Sequence, residues 1–176
     1  MLIHDRNMAG AAAVDTIVHA LVTIGVGHHE VHEGELFVVC QTHAATTNYL
    51  LVVPAGKVAH FTMEAVTDAT AAGKLELFPL VTASANGSAF SQVFNKKSAG
   101  GAAPAVVITT APTVETTLDG TTCAFLGPLT VLGMKTGGLD RELSEYLLTA
   151  GKHLVRVTRG ASGNINLQMQ WYEEPA

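Results

Sequence analysis

The run Ile165-Asn166-Leu167-Gln168-Met169-Gln170-Trp171-Tyr172, near the end of the chain, constrains its fold more than any other feature. Ile165, Leu167, Met169 and Trp171 fall on one side of an extended backbone, and Asn166, Gln168 and Gln170 on the other. A period of two with one polar face is the pattern of a strand packed on a core through one side. From Thr16 onward the chain breaks, about every ten residues, into an apolar, β-branched run followed by a turn signal. Chains built from such runs fold as antiparallel sandwiches or barrels.

The predicted strands are Thr16–Val26, Glu35–Thr42, Asn48–Val53, Val58–Val66, Lys74–Ala83, Ala89–Phe94, Ala105–Val114, Thr121–Leu132, His153–Thr158 and Asn164–Glu173. Pro54-Ala55-Gly56 presets one corner, and Arg159–Gly163 turns the chain between the last two strands. Asn86-Gly87 and Asp119-Gly120 supply the positive-φ pairs of tight hairpins. Only Asp140–Leu148 reads as helical, with Asp140 as cap and Glu142 near the positive end. Val81–Ser88 echoes Val114–Thr121, which predicts two equivalent hairpins. Residues 96–103, rich in Gly, Ala, Ser and Lys, lack an apolar anchor and read as a flexible excursion.

With 176 residues the chain forms a single domain able to bury roughly 70% of its unfolded surface without disulfides or metal. Residues 1–15 read as an extended N-terminal arm, ordered only by a neighbour, and 16–176 as the sandwich domain. Charged residues make up 14% of the chain, against roughly 25% in an ordinary soluble domain. Mean hydropathy is +0.30, and Ala, Thr, Gly and Ser replace the missing charge. Such a surface is expected to be covered in part by other subunits. A net charge of −5 argues against nucleic acid, and the densest basic patch is Lys96-Lys97. The sequence has no run long and apolar enough to span a membrane. Asp5 and Asp15 bracket the short apolar stretch Met8–Val14, unlike a secretory signal. Synthesis in the cytoplasm is therefore expected, with Cys40 and Cys123 as reduced thiols on strands.

Gly27-His28-His29-Glu30-Val31-His32-Glu33 is the densest group of chemistry-bearing residues. Imidazole and carboxylate suit zinc or iron, which makes His28, His29 and His32 candidate ligands. Yet His29-Glu30-Val31-His32 is one residue short of the metalloprotease helix motif. His28 and His32 do stand four apart, but Gly27 and Gly34 flank them as in a turn, so the plainer reading is a polar corner. Neither a Gly-x-Ser-x-Gly elbow nor an activated cysteine is present. His60 and His153 fall inside strands, where a hydrogen-bonded imidazole is the common outcome. Glu64 and Glu76 read as solvated. Of the aromatic residues, Trp171 falls on the core face, while Tyr172 points the other way and is the candidate for an outside contact. No catalytic residue and no cofactor are expected.

His32-Glu33-Gly34, then Val81–Ser88, then Phe94-Asn95-Lys96-Lys97, then Pro112–Val114 with Asp119–Thr121 occur in order. Tyr146–Leu148, Leu154–Thr158 and Ile165 through Trp171-Tyr172-Glu173 complete the series. This succession resembles a group of small tailed-bacteriophage structural proteins of the head-decoration, or cement, type, over about residues 29–173. Ser88 stands for a usual Thr and Gln168 for a common acidic residue, and residues 1–28 have no counterpart. The resemblance implies a jelly-roll β-sandwich that oligomerises, as a homotrimer, on the outside of a capsid. The implied partners are further copies and the major capsid protein, with no nucleic acid or membrane. The expected interface residues are Met1, Leu2 and Ile3 of the arm, Lys96, Lys97 and Tyr172. Two rival readings are a tail, fibre or carbohydrate-binding virion module, and a metal-dependent β-barrel enzyme using His28, His29 and His32.

Overall fold

In the computed structural model the described residues are 33–66, 73–97, 99–115, 118, 145–160 and 163–176, with the backbone alone of 2–4, 10–14, 21–25, 67, 124–128 and 130–131. At the front of the chain, β1 (Leu2–His4), β2 (Gly10–Val14) and β3 (Leu21–Gly25) pair in order as a three-stranded antiparallel sheet. Part of the expected arm is thus paired strand, and the boundary after residue 15 falls between β2 and β3.

Four long strands follow: β4 (Phe37–His43), β5 (Thr47–Val53), β6 (Lys57–Thr67) and β7 (Lys74–Phe78). Successive members alternate between two sheets, β4 and β6 in the first, β5 and β7 in the second. The chain returns through β13 (Ala124–Pro128), β14 (Thr130–Val131), β15 (Glu145–Leu148), β16 (Gly151–Thr158) and β17 (Ile165–Pro175). The returning β17 slots between β4 and β6, and β16 slots between β5 and β7. β13 flanks β7 in the second sheet, while β14 and β15 flank β6 in the first. This interleaving is the strand order of a jelly roll, a double-sheet way of building an all-β protein. All of these ladders are antiparallel except β14 with β6.

The period of two places the core. Phe37, Val39, Phe61, Met63, Leu167, Met169 and Trp171 face inward from the first sheet. Tyr49, Leu51, Val53, Leu75, Leu77, Val155 and Val157 meet them from the second. Trp171 stacks on Phe61 with ring centroids 5.0 Å apart and tilts against Phe37 at 5.5 Å. A pair of such rings contributes about 0.5–1.5 kcal/mol beyond the apolar area it buries.

The second sheet is also covered outside, so its strands read as nearly unbroken apolar runs. Leu50, Phe78, Val81 and Leu154 form a second cluster there, under Ala83, Val114 and Leu118. That cover is the excursion between β7 and β13. Within it, β8 (Ala83–Ala85) pairs with β12 (Thr113–Val114), so the two echoing segments bond to each other rather than forming separate hairpins. β9 (Ser88–Ala89) pairs instead with β11 (Val107–Thr110), which extends the second sheet. Asn86-Gly87 therefore carries the chain from one ladder to another and closes no hairpin. Gly87 has φ +86°, and a Cβ there would collide with the Thr110 carbonyl oxygen. Asp119-Gly120 lies outside the described residues.

Three further expectations change. Strand 89–94 is mostly absent: after β9 the chain stays irregular until β10 (Phe94–Asn95), while Phe90 packs edge-on against Tyr49. Strand 105–114 breaks at Ala111, whose φ is +54°, as the chain leaves the second sheet for its cover. The helix expected to end at Leu148 is strand over Glu145–Leu148, since Tyr146 and Leu148 pack inward when β15 pairs with β6; tertiary packing overrides the weak local signal. Residues 140–144 lie outside the described residues. The Pro54 corner stands as expected, with the Lys57 N–H donating to the Pro54 carbonyl at 3.3 Å.

Candidate interaction surfaces

The basic loop after β10 is built rather than loose. The Asn95 amide donates to the Gly34 carbonyl at 2.5 Å and the Ala102 carbonyl at 3.0 Å, while its oxygen accepts the Lys97 N–H at 2.9 Å. The Lys96 N–H donates to the Leu36 carbonyl, and the Ala102 N–H to the Gly34 carbonyl. One side chain thus fastens both ends of the loop expected to be flexible, by polar bonds instead of an apolar anchor. It also brings the Glu33-Gly34 corner against Asn95-Lys96-Lys97. Gly34 (φ +81°) and Gly101 leave room for this contact. Lys96 and Lys97 stay exposed, and Lys96 Nζ donates to Gln170 Oε1 at 2.6 Å. Phe94, outward on the same edge, is 62% exposed.

Tyr172, expected to make an outside contact, has little surface to offer one in the single chain. It points away from Trp171, but only 5% of it is exposed. The His60 ring, its cross-strand neighbour, stacks on it at 4.4 Å and 11°. Glu145 lies 3.4 Å from His60 Nδ1 and Glu174 3.6 Å from Nε2. The two carboxylates approach different ring nitrogens and do not converge on one point. Among the described residues no group of three His, Cys, Asp or Glu side chains is arranged to hold a metal ion.

Away from the His60 cluster, the outward face of the first sheet is polar with few charges. Cross-strand register sets Val38, Gln170 and Thr62 in one row, Cys40, Gln168 and Glu64 in the next, and Thr42, Asn166 and Val66 in a third. A depression of about 270 Å³ opens over the last two rows. Thr42 Oγ1 donates to Asn166 Oδ1 at 2.7 Å within it. Cys40 is a free, exposed thiol on β4, and Glu64 is exposed as expected.

The groups with shifted pKa values lie elsewhere. Burial lowers the His43 pKa and raises that of Tyr49 to about 12. The imidazole is therefore neutral, and the Tyr49 hydroxyl and His43 Nε2 share a hydrogen bond of 2.9 Å inside the sandwich. Burial likewise lowers the pKa of His153, partly opposed by the Thr149 carbonyl 2.8 Å from Nε2. Glu76, expected in solvent, is 8% exposed. Arg156 holds it through bonds of 2.7 Å and 3.1 Å and keeps its carboxyl below the usual range. The guanidinium sits 4.9 Å above the Phe78 ring.

Of the residues singled out by sequence, Lys96 and Lys97 come together with Gly34 and Phe94, apart from Tyr172. Leu2 and Ile3 lie in β1, whereas Met1, His28, His29, His32 and Cys123 lie outside the described residues. The amide column on β17 was visible in the alternation of the final run, but its row partners depend on register. Asn95 gave no signal of its role beyond its place beside two lysines. Compared with known protein families, curated proteins and solved structures, the chain matches none.

Proposed function

We propose that this protein is a non-enzymatic virion component that decorates and stabilises the outside of a bacteriophage capsid as a trimer. Its contacts are further copies of itself and the major capsid protein, with residues 1–15 and the Lys96-Lys97 loop on the contacting side. The observation that carries the reading is the jelly-roll order, in which β16 and β17 return to the sheet centres. Capsid domains use that architecture, and the ordered resemblance along residues 29–173 narrows the analogy from fold to role.

Two physical features support it. The low charge and the abundance of small residues suit a surface finished by neighbours. A loop fastened at both ends by Asn95 presents Lys96 and Lys97 with little ordering entropy left to lose on contact. A cement protein binds assembled lattice better than free subunits, so its binding energy adds to lattice stability by linkage. Many modest contacts then act together.

Cryo-electron microscopy of particles carrying the protein tests the proposal. Density for trimers on the capsid exterior is the expected result. Density on the tail, or particles equally stable and complete without the protein, would overturn it. In solution, light scattering is expected to give about three times the 18.4 kDa chain mass.

A further inference from the structure

We infer that the outward face of the first sheet is a binding site for a neutral saccharide chain, lying across β4, β17 and β6 over the depression beside Gln168. The face is unusual in chemistry rather than in shape. The nine outward positions around the depression, 38, 40 and 42 on β4, 166, 168 and 170 on β17, and 62, 64 and 66 on β6, carry one charge, Glu64. The next charges on the face, Glu174 and Glu145, gather at its far end around His60. Solubility alone is served better by charge, and no element of the described chain covers this face as the excursion covers the second sheet.

The donor and acceptor inventory selects the ligand. Gln168 presents an acceptor and two donors in one plane, and Glu64 accepts. Asn166 and Gln170 keep their amide donors while their oxygens accept from Thr42 Oγ1 and Lys96 Nζ. Thr42 and Thr62 keep acceptor lone pairs while their hydroxyl protons go to Asn166 Oδ1 and the Gln170 carbonyl. Adjacent sugar hydroxyls, which also donate and accept, match such a set group by group. An anion would face Glu64 with no cation in the depression, because Lys96 is engaged at the far row by Gln170. A flat aromatic ligand would need an apolar wall, and Val66 is the principal apolar side chain facing it. The depression is open, so a chain can lie across it. Beside Val38, exposed Phe94 gives the C–H face of a further ring something to stack on. Single-site affinity on so shallow a face is expected near the millimolar range, raised by many copies on one surface.

The native protein is titrated with a panel of neutral glucan, galactan and N-acetylhexosamine oligosaccharides, followed by calorimetry and amide NMR. Binding by at least one, with shifts at Gln168 and Asn166, is expected. Gln168→Ala and Glu64→Ala, both outward substitutions, should each weaken it about tenfold while thermal unfolding stays unchanged. Native Cys40 gives a second readout: the saccharide should slow maleimide labelling, and the labelled protein should not bind. No binding at about 10 mM by any member of the panel overturns the inference. So does binding indifferent to both substitutions and to the label, or a label that blocks self-association instead, which would assign the face to a second copy. These measurements need no particle, so the virion reading stands or falls separately.

Discussion

Glu173 accepts the Trp171 indole N–H at 3.1 Å, two residues along the same strand and on the same inward face. The same carboxylate also accepts the backbone N–H groups of Ala105 and Val106 at 2.9 Å each. Trp171 is completely buried and Glu173 is buried beside it. One acid thus satisfies the only polar atom of the largest core side chain and secures the segment that enters β11.

Glu173→Gln replaces one acceptor oxygen by a donor and sets it against the Ala105 N–H or against the Val106 and Trp171 N–H groups. Leaving buried donors unsatisfied costs about 1–3 kcal/mol. In urea titrations the midpoint should fall with the slope unchanged. Glu174→Gln, one residue away on the exposed side, should stay within about 0.5 kcal/mol of the parent. Equal losses at both positions would contradict the triple-acceptor role.

Acid should weaken the fold in two separate steps. His43 and His153 have pKa values lowered from 6.5 by burial. Above that value both rings are neutral whether the chain is folded or unfolded, and they add no pH dependence. Below it the unfolded chain takes up protons that the folded one refuses, so stability falls as pH drops. Glu76 acts at lower pH. Arg156 depresses its carboxyl from 4.5, so its contribution is full above that value and is lost as pH falls through the folded pKa. Urea midpoints measured across this range should show both declines, and His43→Gln with His153→Gln should flatten the upper one alone.

Legibility of the fold followed the number of covered faces. β17 and β4 are covered on one side, so alternation alone marked them and their inward residues. Leu51 and Val155 are buried in the core, and Leu50 and Leu154, which face the other way, are buried as well because the excursion between β7 and β13 folds onto the second sheet; no period could announce that. Tyr172 illustrates the remaining limit. Its direction away from the core was readable from Trp171, but its burial depends on His60 arriving opposite it, which is a matter of register. Glu76 failed for the same reason, since Arg156 faces it only once β7 and β16 pair. The polar face lay half in view: Asn166, Gln168 and Gln170 were legible as a row, their neighbours Cys40 and Glu64 were not.

The Asn95 clamp can be tested without a partner. Asn95→Asp keeps the acceptor for the Lys97 N–H but loses both donations, to Gly34 and to Ala102. Hydrogen exchange should quicken at the Ala102 amide, whose bond to the Gly34 carbonyl holds the far end of the loop, while amides of β16 and β17 keep their protection. Uniform quickening across the sandwich would mean that the loop is part of the global unit rather than a separately fastened one.

Arg156 and Glu76 test what a paired charge contributes to the second sheet. The pair lies on the sheet's outward side, 23% and 11% exposed at the side chains, and bonds through two parallel contacts. Lysine offers a point charge in place of the planar fork and cannot lie over Phe78 in the same way. Arg156→Lys should therefore cost about 1–3 kcal/mol and move the Glu76 titration, followed by carboxyl NMR, upward toward its ordinary value. The lower acid limb of stability should move up with it, because the carboxyl would be protonated at a higher pH in the folded chain. An unchanged Glu76 titration would show that Lys74 and Thr158, rather than the guanidinium, hold this carboxyl low.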